Sequence, residues 1–362
     1  MEKLKSFIGK IFLDYTSPNP IRKPQAEADS PIIRLSSEIY TLITLLEKCL
    51  MMGLFQCINS LLYILCVMPI KTLISPSRVT IFRTLILFLV SFQVSYMMSV
   101  SRLYHDLKEQ DFLKLNFVYN MIGVADQLLM AFGQKCMKTM TSSLENLIIT
   151  VIYVWLHSMH LSLAITVFEV ALNSSKYNLL LVIMTSAFVE LKITVFKKHD
   201  KKVLMNVINN DIVERLQVFI YMLTLLAKAI INRRSNIDEL VNGILIILST
   251  YFIIDWVKHY FVLHFNSMQP SVYQKVYEDM KDNWTKTYTT GGFFDGDKVV
   301  ENTLDPSCSL TLHYKFMALP QACMILRSFS EFLISNSAIM NATIFAIASV
   351  AKVLVNVMIL VM

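Results

Sequence analysis

Long runs of apolar residues without charge constrain this chain more than any other feature. The stretch Cys49–Ile70 contains no charged residue, and Leu147–Phe168 contains none apart from two histidines. A bilayer core of about 30 Å needs about 20 such residues in a helix. Only 17% of the chain is charged, whereas roughly a quarter is usual in soluble domains. The sequence therefore predicts an all-α fold, a polytopic transmembrane helix bundle, and not a soluble enzyme.

Further segments have the apolarity of membrane spans, and most of them carry one or two charges. They are Val79–Val100, Tyr177–Val189, Leu216–Ile231, Leu240–Val257, Phe316–Ile334 and Ala338–Met362. The segment Tyr177–Val189 has only about two-thirds of the length that a crossing needs, and such lengths are typical of re-entrant or interfacial helices. The sequence therefore predicts seven or eight spans.

Lysine and arginine in the connecting segments predict the orientation, because these residues concentrate on the cytosolic side of a membrane. We expect a cytosolic N-terminus. The expected division is a cytosolic amphipathic helix with a Pro-rich linker at 1–40, a membrane core at 41–257 with cytosolic elbows at 101–146 and 192–215, a cytosolic helix and loop at 258–315, and a C-terminal transmembrane hairpin at 316–362. The glycine-punctuated stretch from Gly291 to Gly296 is expected to be an irregular loop.

Several classes of function have no support in the sequence. There is no GxSxG nucleophile elbow, no phosphate-binding loop and no pair of carboxylates at an acid–base spacing. The six cysteines include no CxxC pair, which argues against a disulfide framework and a zinc site. Basic residues lie between apolar runs, a pattern that favours membrane topology over nucleic-acid binding. We expect a non-enzymatic protein without catalytic residues, cofactor or metal, in contact with the lipid bilayer and not with nucleic acid.

Ionisable residues inside the apolar segments are the first group of candidate functional residues. They are His157, His160, Lys228, Asp255, Arg327 and Glu331. A lone charge in such a segment costs about 2.5–3.5 kcal/mol on insertion scales, so each should face protein or a wet cavity. His157 and His160 have the i, i+3 spacing of metal ligands, but no closing motif follows. Pairing between helices and a transport pathway would both explain these residues, and we favour pairing.

A basic elbow after the short Tyr177–Val189 segment holds the second group. We expect an interaction or helix-anchoring surface formed by Phe188, Glu190, Lys192, Phe196, Lys197, Lys198, Asp211, Glu214 and Arg215. Lysines at such a position gain about 1 kcal/mol each near anionic headgroups. Asp211 followed by Glu214 resembles a capping box, which predicts that a new helix begins at Ile212.

Several blocks of this sequence, in the right order, resemble one known family. They are CLMMGLFQCINSLLYILCVMPIKTL, YNMIGVADQLLMAFGQ, FVELKITVFKK, NNDIVERL, DWVKHYFVLHFNSMQPSVYQKV and LPQACMILR. Together they extend over about Glu47 to Met362. The chain thus resembles the transmembrane anterior posterior transformation protein family of eukaryotes. Gly123 and Gln127 depart from its pattern, which usually has an acidic residue and an arginine there.

The resemblance implies a multi-pass membrane protein of the endoplasmic reticulum. It also implies an association with a SUN-domain-like membrane glycoprotein and a role in protein folding or quality control, and it supplies no catalytic residues. The leading hypothesis is therefore a non-enzymatic scaffold or adaptor in that membrane. The alternative is a channel, lipid transporter or scramblase that uses the intramembrane polar residues, and a polar cavity lined by His157, His160 and Asp255 would support it.

Overall fold

The structure is a computed structural model. It describes residues 31–97, 100–109, 112–173, 191–192, 194–195, 201–231, 237–290, 293–295, 298–300, 314–335 and 338–361. The short segment Tyr177–Val189 and the N-terminal residues 1–30 lie outside the described residues.

Helices dominate the described chain, which confirms the predicted all-α fold of a membrane protein. The helices are α1 (Pro31–Leu62), α2 (Met68–Ile74), α3 (Arg78–Met97), α4 (Val100–Lys108), α5 (Phe112–Thr139), α6 (Leu144–Asn173), α7 (Lys201–Ile231), α8 (Ile237–Phe265), α9 (Ser271–Thr290), α10 (Ala318–Ser335) and α11 (Ala338–Val361). A two-stranded antiparallel hairpin, β1 (Phe293–Asp295) with β2 (Lys298–Val300), follows α9.

A π-helical turn, Tyr63–Val67, joins α1 to α2 and keeps them on one continuous path. The backbone N–H of Met68 donates to the carbonyl of Tyr63, five residues earlier. Pro69 follows directly, and its ring has no N–H for the ordinary bond to Leu65. The wider turn therefore lets the helix pass the proline without ending.

Four helices of the described chain are long and apolar enough to cross a membrane. They lie at Ser36–Ile74, Arg78–Met97, Leu144–Asn173 and Ile237–Phe265, and a shorter apolar helix lies at Ile344–Ile359. The outward side of α3 presents large exposed side chains such as Phe88 and Phe92, as expected where lipid is the solvent. The count of seven or eight spans stays a prediction.

The long helix α1 lies in the middle of the bundle and packs against α7, α9, α10 and α11. At Gly53 this helix comes close to α7, because a β-carbon built there would overlap the side chain of Ile212. Helix α5 packs along α6, and α10 packs against α3 and α6. Helices that are distant from one another in sequence thus share one core.

Two local predictions are wrong. Helix α7 runs without a break from Lys201 to Ile231, so no helix begins at Ile212. Asp211 lies inside α7, and its carboxylate bonds to side chains of α8 instead of capping a helix N-terminus. The predicted irregular loop around Gly291 to Gly296 contains strand β1, whose residue Asp295 pairs with Lys298.

Candidate functional site

Five polar residues on two neighbouring helices form the centre of the candidate site. Asp211 and Arg215 are four residues apart on α7, so they share one face of that helix. On α8, Asp255, Lys258 and His259 lie at positions i, i+3 and i+4, so they also share one face of their helix. The two helices run antiparallel with these faces together. Charges of both signs therefore meet in one place.

Asp211 receives two side-chain hydrogen bonds from α8. The ammonium of Lys258 lies 2.6 Å from Oδ1 of Asp211. The imidazole Nε2 of His259 lies 2.7 Å from Oδ2. Lys258 also lies 3.2 Å from Oδ1 of Asp255. Each oxygen of Asp211 thus has a donor, and Lys258 bridges two carboxylates.

Arg215 extends the same chain of contacts to α1. Its Nε lies 2.5 Å from Oδ2 of Asp255, and its Nη1 lies 3.0 Å from a carboxylate oxygen of Glu47. The indole N–H of Trp256 donates to Glu47 at 2.7 Å. The Arg215 guanidinium also lies 4.4 Å from the ring centroid of Phe252, within cation–π range.

Tyr273 on α9 completes the arrangement. Its hydroxyl lies 2.7 Å from Nδ1 of His259, and its backbone carbonyl accepts a bond from the Cys49 thiol of α1. We call this set the ion-pair network; its members are Glu47, Asp211, Arg215, Asp255, Lys258, His259 and Tyr273. The network joins α1, α7, α8 and α9.

Burial makes this pairing essential. Lys258 and Asp211 each expose 1% of their surface, so neither charge has access to water. A buried charge without a partner is strongly destabilising, and partners with good hydrogen-bond geometry offset that cost. Burial by itself would raise the pKa of the Asp211 carboxyl, but Lys258 and His259 outweigh burial and hold this pKa below its ordinary value.

The hydrogen-bond donors in this region can be assigned from chemistry. An ionised carboxylate only accepts hydrogen bonds, so Nε2 of His259 carries the proton that it shares with Asp211. An imidazole with its proton on Nε2 and none on Nδ1 accepts the Tyr273 hydroxyl proton at Nδ1. Burial, followed by the charge of Asp211, raises the pKa of the Tyr273 phenol well above its ordinary value. Tyr273 therefore remains a donor at neutral pH.

A second buried set repeats this order of groups. Nε2 of His157 lies 3.0 Å from Oδ1 of Asp126, and Nδ1 lies 2.7 Å from the Tyr153 hydroxyl. The side-chain amide of Gln217 donates to the other oxygen of Asp126 at 2.9 Å. We call Asp126, Tyr153, His157 and Gln217 the histidine cluster. It joins α5, α6 and α7.

The histidine cluster follows the same electrostatic logic as the ion-pair network. The Asp126 carboxylate is buried, and hydrogen bonds from His157 and Gln217 offset the cost of that burial. In both sets, a tyrosine, a histidine and an aspartate bond to one another, and the histidine–aspartate bond joins two consecutive helices. The side chains of each set hydrogen-bond to one another, so each set holds its helices together.

The predicted intramembrane residues fall into three situations. Asp255 and His157 are paired as described, while His160 lies beside His157 with a ring-centroid distance of 6.5 Å. Lys228 lines a cavity between α6, α7 and α8, and Arg327 is buried on α10. Glu331 lies in α10, but its side chain is not among those that the structure describes. Among the described residues, no three His, Cys, Asp or Glu side chains are placed to hold a metal.

The residues of the predicted elbow surface also differ in burial. Asp211 and Arg215 are buried members of the ion-pair network, Glu214 is half-buried, and Lys192 is exposed. Phe188, Glu190, Phe196, Lys197 and Lys198 lie outside the described residues. Asp211 and Arg215 thus have a helix-anchoring position, and the interaction surface around Lys192 stays a prediction.

Sequence reasoning missed four residues of the ion-pair network and three of the histidine cluster. They are Glu47, Lys258, His259 and Tyr273, together with Asp126, Tyr153 and Gln217. Lys258 and His259 had a usable signal, because they follow Asp255 on the same face of α8. Tyr153 had one as well, because it lies four residues before His157 on the same helix. Glu47, Asp126 and Gln217 had none, since their partners lie on other helices.

A family model described as a eukaryotic membrane protein family, DUF747, matches residues 73–362. The chain belongs to this family. The matched range contains the α7 and α8 members of the ion-pair network, whereas Glu47 lies ahead of it. No solved structure matches the chain.

Three curated relatives show the breadth of the family. The human transmembrane anterior posterior transformation protein 1 homolog is 26% identical over 329 residues, which cover 80% of this chain and 56% of the relative. A Drosophila melanogaster TAPT1 homolog is 27% identical over 296 residues, or 70% of this chain and 44% of the relative. A Dictyostelium discoideum TAPT1 homolog is 27% identical over 338 residues, which cover 80% of this chain and 39% of the relative. The predicted family resemblance is thereby confirmed.

The chain spans about half the length of the curated relatives that it matches. In this chain, the residues that the family model matches include the histidine cluster and the α7, α8 and α9 members of the ion-pair network.

Proposed function

We propose that this chain is a non-enzymatic scaffold of the endoplasmic reticulum membrane that binds a SUN-domain-like membrane protein and supports protein folding or quality control. Membership of the family supports the membrane setting, and the resemblance described above supports the partner and compartment. One observation in the structure carries the choice of a scaffold: the intramembrane carboxylate of Asp255 is paired on both sides, with Arg215 and with Lys258.

Charges that are paired in this way serve a scaffold better than a transport pathway. A transport site needs polar groups that exchange partners with a passing solute. Asp255 and His157 instead bond to residues of other helices at 2.5 and 3.0 Å. A bundle closed by such bonds presents a constant outer surface, which suits a protein that positions a partner.

The test is purification of the tagged full chain from its own membranes in mild detergent, followed by quantitative mass spectrometry. We expect one SUN-domain-like membrane protein at a stoichiometric ratio. Lys192→Glu, at the exposed position of the elbow, is expected to reduce its recovery. The matched control is Lys135→Glu, at an exposed position of α5. Recovery of the chain alone, from a well-folded preparation, would contradict the proposal.

The alternative of a channel, lipid transporter or scramblase has one observation in its favour. A cavity lined by Lys228 and Glu169 lies among the apolar helices. Purified protein in liposomes tests this alternative through ion flux and through transfer of labelled lipid between leaflets. Transport that is lost in the Lys228→Gln variant, with the bundle still folded, would favour the alternative over the scaffold.

A further inference from the structure

One side of α5 is exposed and apolar along most of its length. Large side chains three or four positions apart form it, and each exposes about half of its surface or more; they are Phe117, Met121, Val124, Leu128 and Phe132. Residues at this spacing lie on the same side of a helix. A continuous apolar surface of this kind is rarely left in contact with water. We call these residues the apolar side of α5 and ask what covers it.

The apolar side of α5 has the length of the hydrocarbon core of a bilayer. An exposed lysine lies beyond each end of it, Lys114 before Phe117 and Lys135 after Phe132. The two lysines are 21 positions apart in one helix, which is about 31 Å at a helical rise of about 1.5 Å per residue. The hydrocarbon core is about 30 Å thick, and lysines near the ends of a membrane helix extend to the headgroups. These dimensions fit lipid as the covering layer.

The packing of α5 on α6 gives a second and independent measure of depth. The ring centroids of Tyr119 and Phe168 lie 5.6 Å apart. Towards the other end of α5, the backbone carbonyl of Cys136 accepts a hydrogen bond from the Thr150 hydroxyl at 3.2 Å. Thr150 and Phe168 both belong to the apolar run Leu147–Phe168 of α6, a helix long and apolar enough to cross a membrane. The two helices are therefore antiparallel, and α5 lies beside the apolar part of α6.

We propose that α5 crosses the membrane beside α6 and that its apolar side contacts the acyl chains of lipids. Between Lys114 and Lys135 the only charged residue in the sequence is Asp126. Its carboxylate is buried and lies 3.0 Å from His157 of α6, so this charge faces protein and not lipid. A search for long apolar runs passes over such a helix, because the paired charge and its polar neighbours lower its apolarity. The elbow expected at 101–146 then contains a membrane-crossing helix.

Photo-crosslinking identifies what contacts the apolar side of α5. The photoreactive amino acid p-benzoylphenylalanine is placed at Leu128 of the full chain, which is irradiated in its own membranes and in phosphatidylcholine liposomes. Intact mass spectrometry should show an adduct with one phospholipid, at a yield similar to that from Phe88 on the exposed side of α3. The yield should be about tenfold above that from Lys275, an exposed position of the polar helix α9, because acyl chains fill only the hydrocarbon core.

Three results of this experiment would overturn the proposal. They are an adduct with another protein, an adduct with a different segment of this chain, and no adduct at Leu128 where Phe88 gives one. The first two would assign the apolar side of α5 to a protein contact. The third would place it in water. The proposal is independent of the scaffold role, because it requires no protein partner.

A second measurement distinguishes a crossing helix from one that lies along the membrane surface. A protease site is inserted after Glu109, ahead of α5, or after Ser142, beyond its end, and sealed microsomes are treated with the protease from outside. We expect cleavage of one of the two insertions in sealed microsomes and of both after detergent. Cleavage of both, or of neither, in sealed microsomes would overturn the crossing, since the two ends of α5 would then lie on one side. The crosslink at Leu128 decides the lipid contact even if an insertion prevents folding.

Discussion

The ammonium of Lys258 lies 2.6 Å from the carboxylate of Asp211, and these side chains expose only 1% and 0% of their surface. This pair is buried between α7 and α8, so its charges have no access to water in the folded state. A buried pair of this kind adds little net stability compared with apolar residues of the same shape, but removal of one partner is costly. The pair therefore specifies how α7 and α8 align.

We expect Lys258→Met to lower the free energy of unfolding by about 3–5 kcal/mol, because it leaves the Asp211 carboxylate buried beside one donor. The double variant Lys258→Met with Asp211→Leu should recover at least half of that loss, since it removes the uncompensated charge. Unfolding in mixed micelles of mild detergent and dodecyl sulfate measures both. Lys135→Met, at an exposed position, is the control, with an expected change within about 0.5 kcal/mol. A single variant as stable as the wild type would show that the pair does not hold the helices.

The two tyrosines that donate to buried histidines should behave alike. Tyr273→Phe and Tyr153→Phe keep the ring and remove only the hydroxyl at 2.7 Å from an imidazole nitrogen. Each leaves a buried acceptor unsatisfied, which costs about 1–3 kcal/mol. The unfolding assay in mixed micelles measures the free energy of unfolding of each variant. Tyr40→Phe, at an exposed position of α1, should have no effect. A loss in only one of the two tyrosine variants would contradict the structural equivalence of the two clusters.

Two glycines in helices should respond in opposite directions to the same substitution. Gly53→Ala places a β-carbon against Ile212, and overpacking of this kind costs about 1–3 kcal/mol. Gly123→Ala meets nothing within 4 Å, and alanine in a helix interior stabilises by roughly 0.5–1 kcal/mol over glycine. Adding Ile212→Val to Gly53→Ala should restore part of the loss, because it removes the nearest methyl group. Destabilisation by Gly123→Ala would place that face of α5 against a partner.

Acid should weaken the ion-pair network only at low pH. Asp211 lies ahead of the predicted span that begins at Leu216, and its pKa in the folded chain is below the ordinary value of 3.8. The stability that it contributes is therefore complete above about pH 5 and is lost as pH falls through 3.8 to the folded pKa. The stability difference between the wild type and Asp211→Asn should be constant from pH 7 to about 5 and shrink below about 4. A difference that grows on acidification would give Asp211 a raised pKa instead.

The helices were largely predictable because their signal is local. The run Leu147–Phe168 lies inside α6, and Leu240–Val257 lies inside α8. Lipid tolerates only segments with internally satisfied backbone bonds, so a long uncharged run leaves few alternatives. The capping-box prediction at Asp211 failed for the opposite reason. Its short pattern also occurs inside a long helix, and only contacts with α8 decide between the two.

The pairing of the charges was not predictable, because it depends on the register of distant helices. Arg215 and Glu47 are 168 positions apart, and nothing near either one points to the other. Asp255 and Arg215 were both singled out, but as members of different groups, one inside the membrane and one at the elbow. Asp126 was overlooked because its segment reads as a cytosolic elbow, whereas its carboxylate bonds to His157 of α6.

We propose that the buried charges hold the bundle closed and that binding of a partner depends on this packing. The most direct test measures folding and partner recovery together in the wild type, in Lys258→Met, and in Lys258→Met with Asp211→Leu. We predict that both quantities fall in the single variant and return together in the double variant, because the charges act only through the packing of α7 on α8. A double variant that regains its stability but not its partner would contradict the claim and would assign Asp211 and Lys258 a direct functional role.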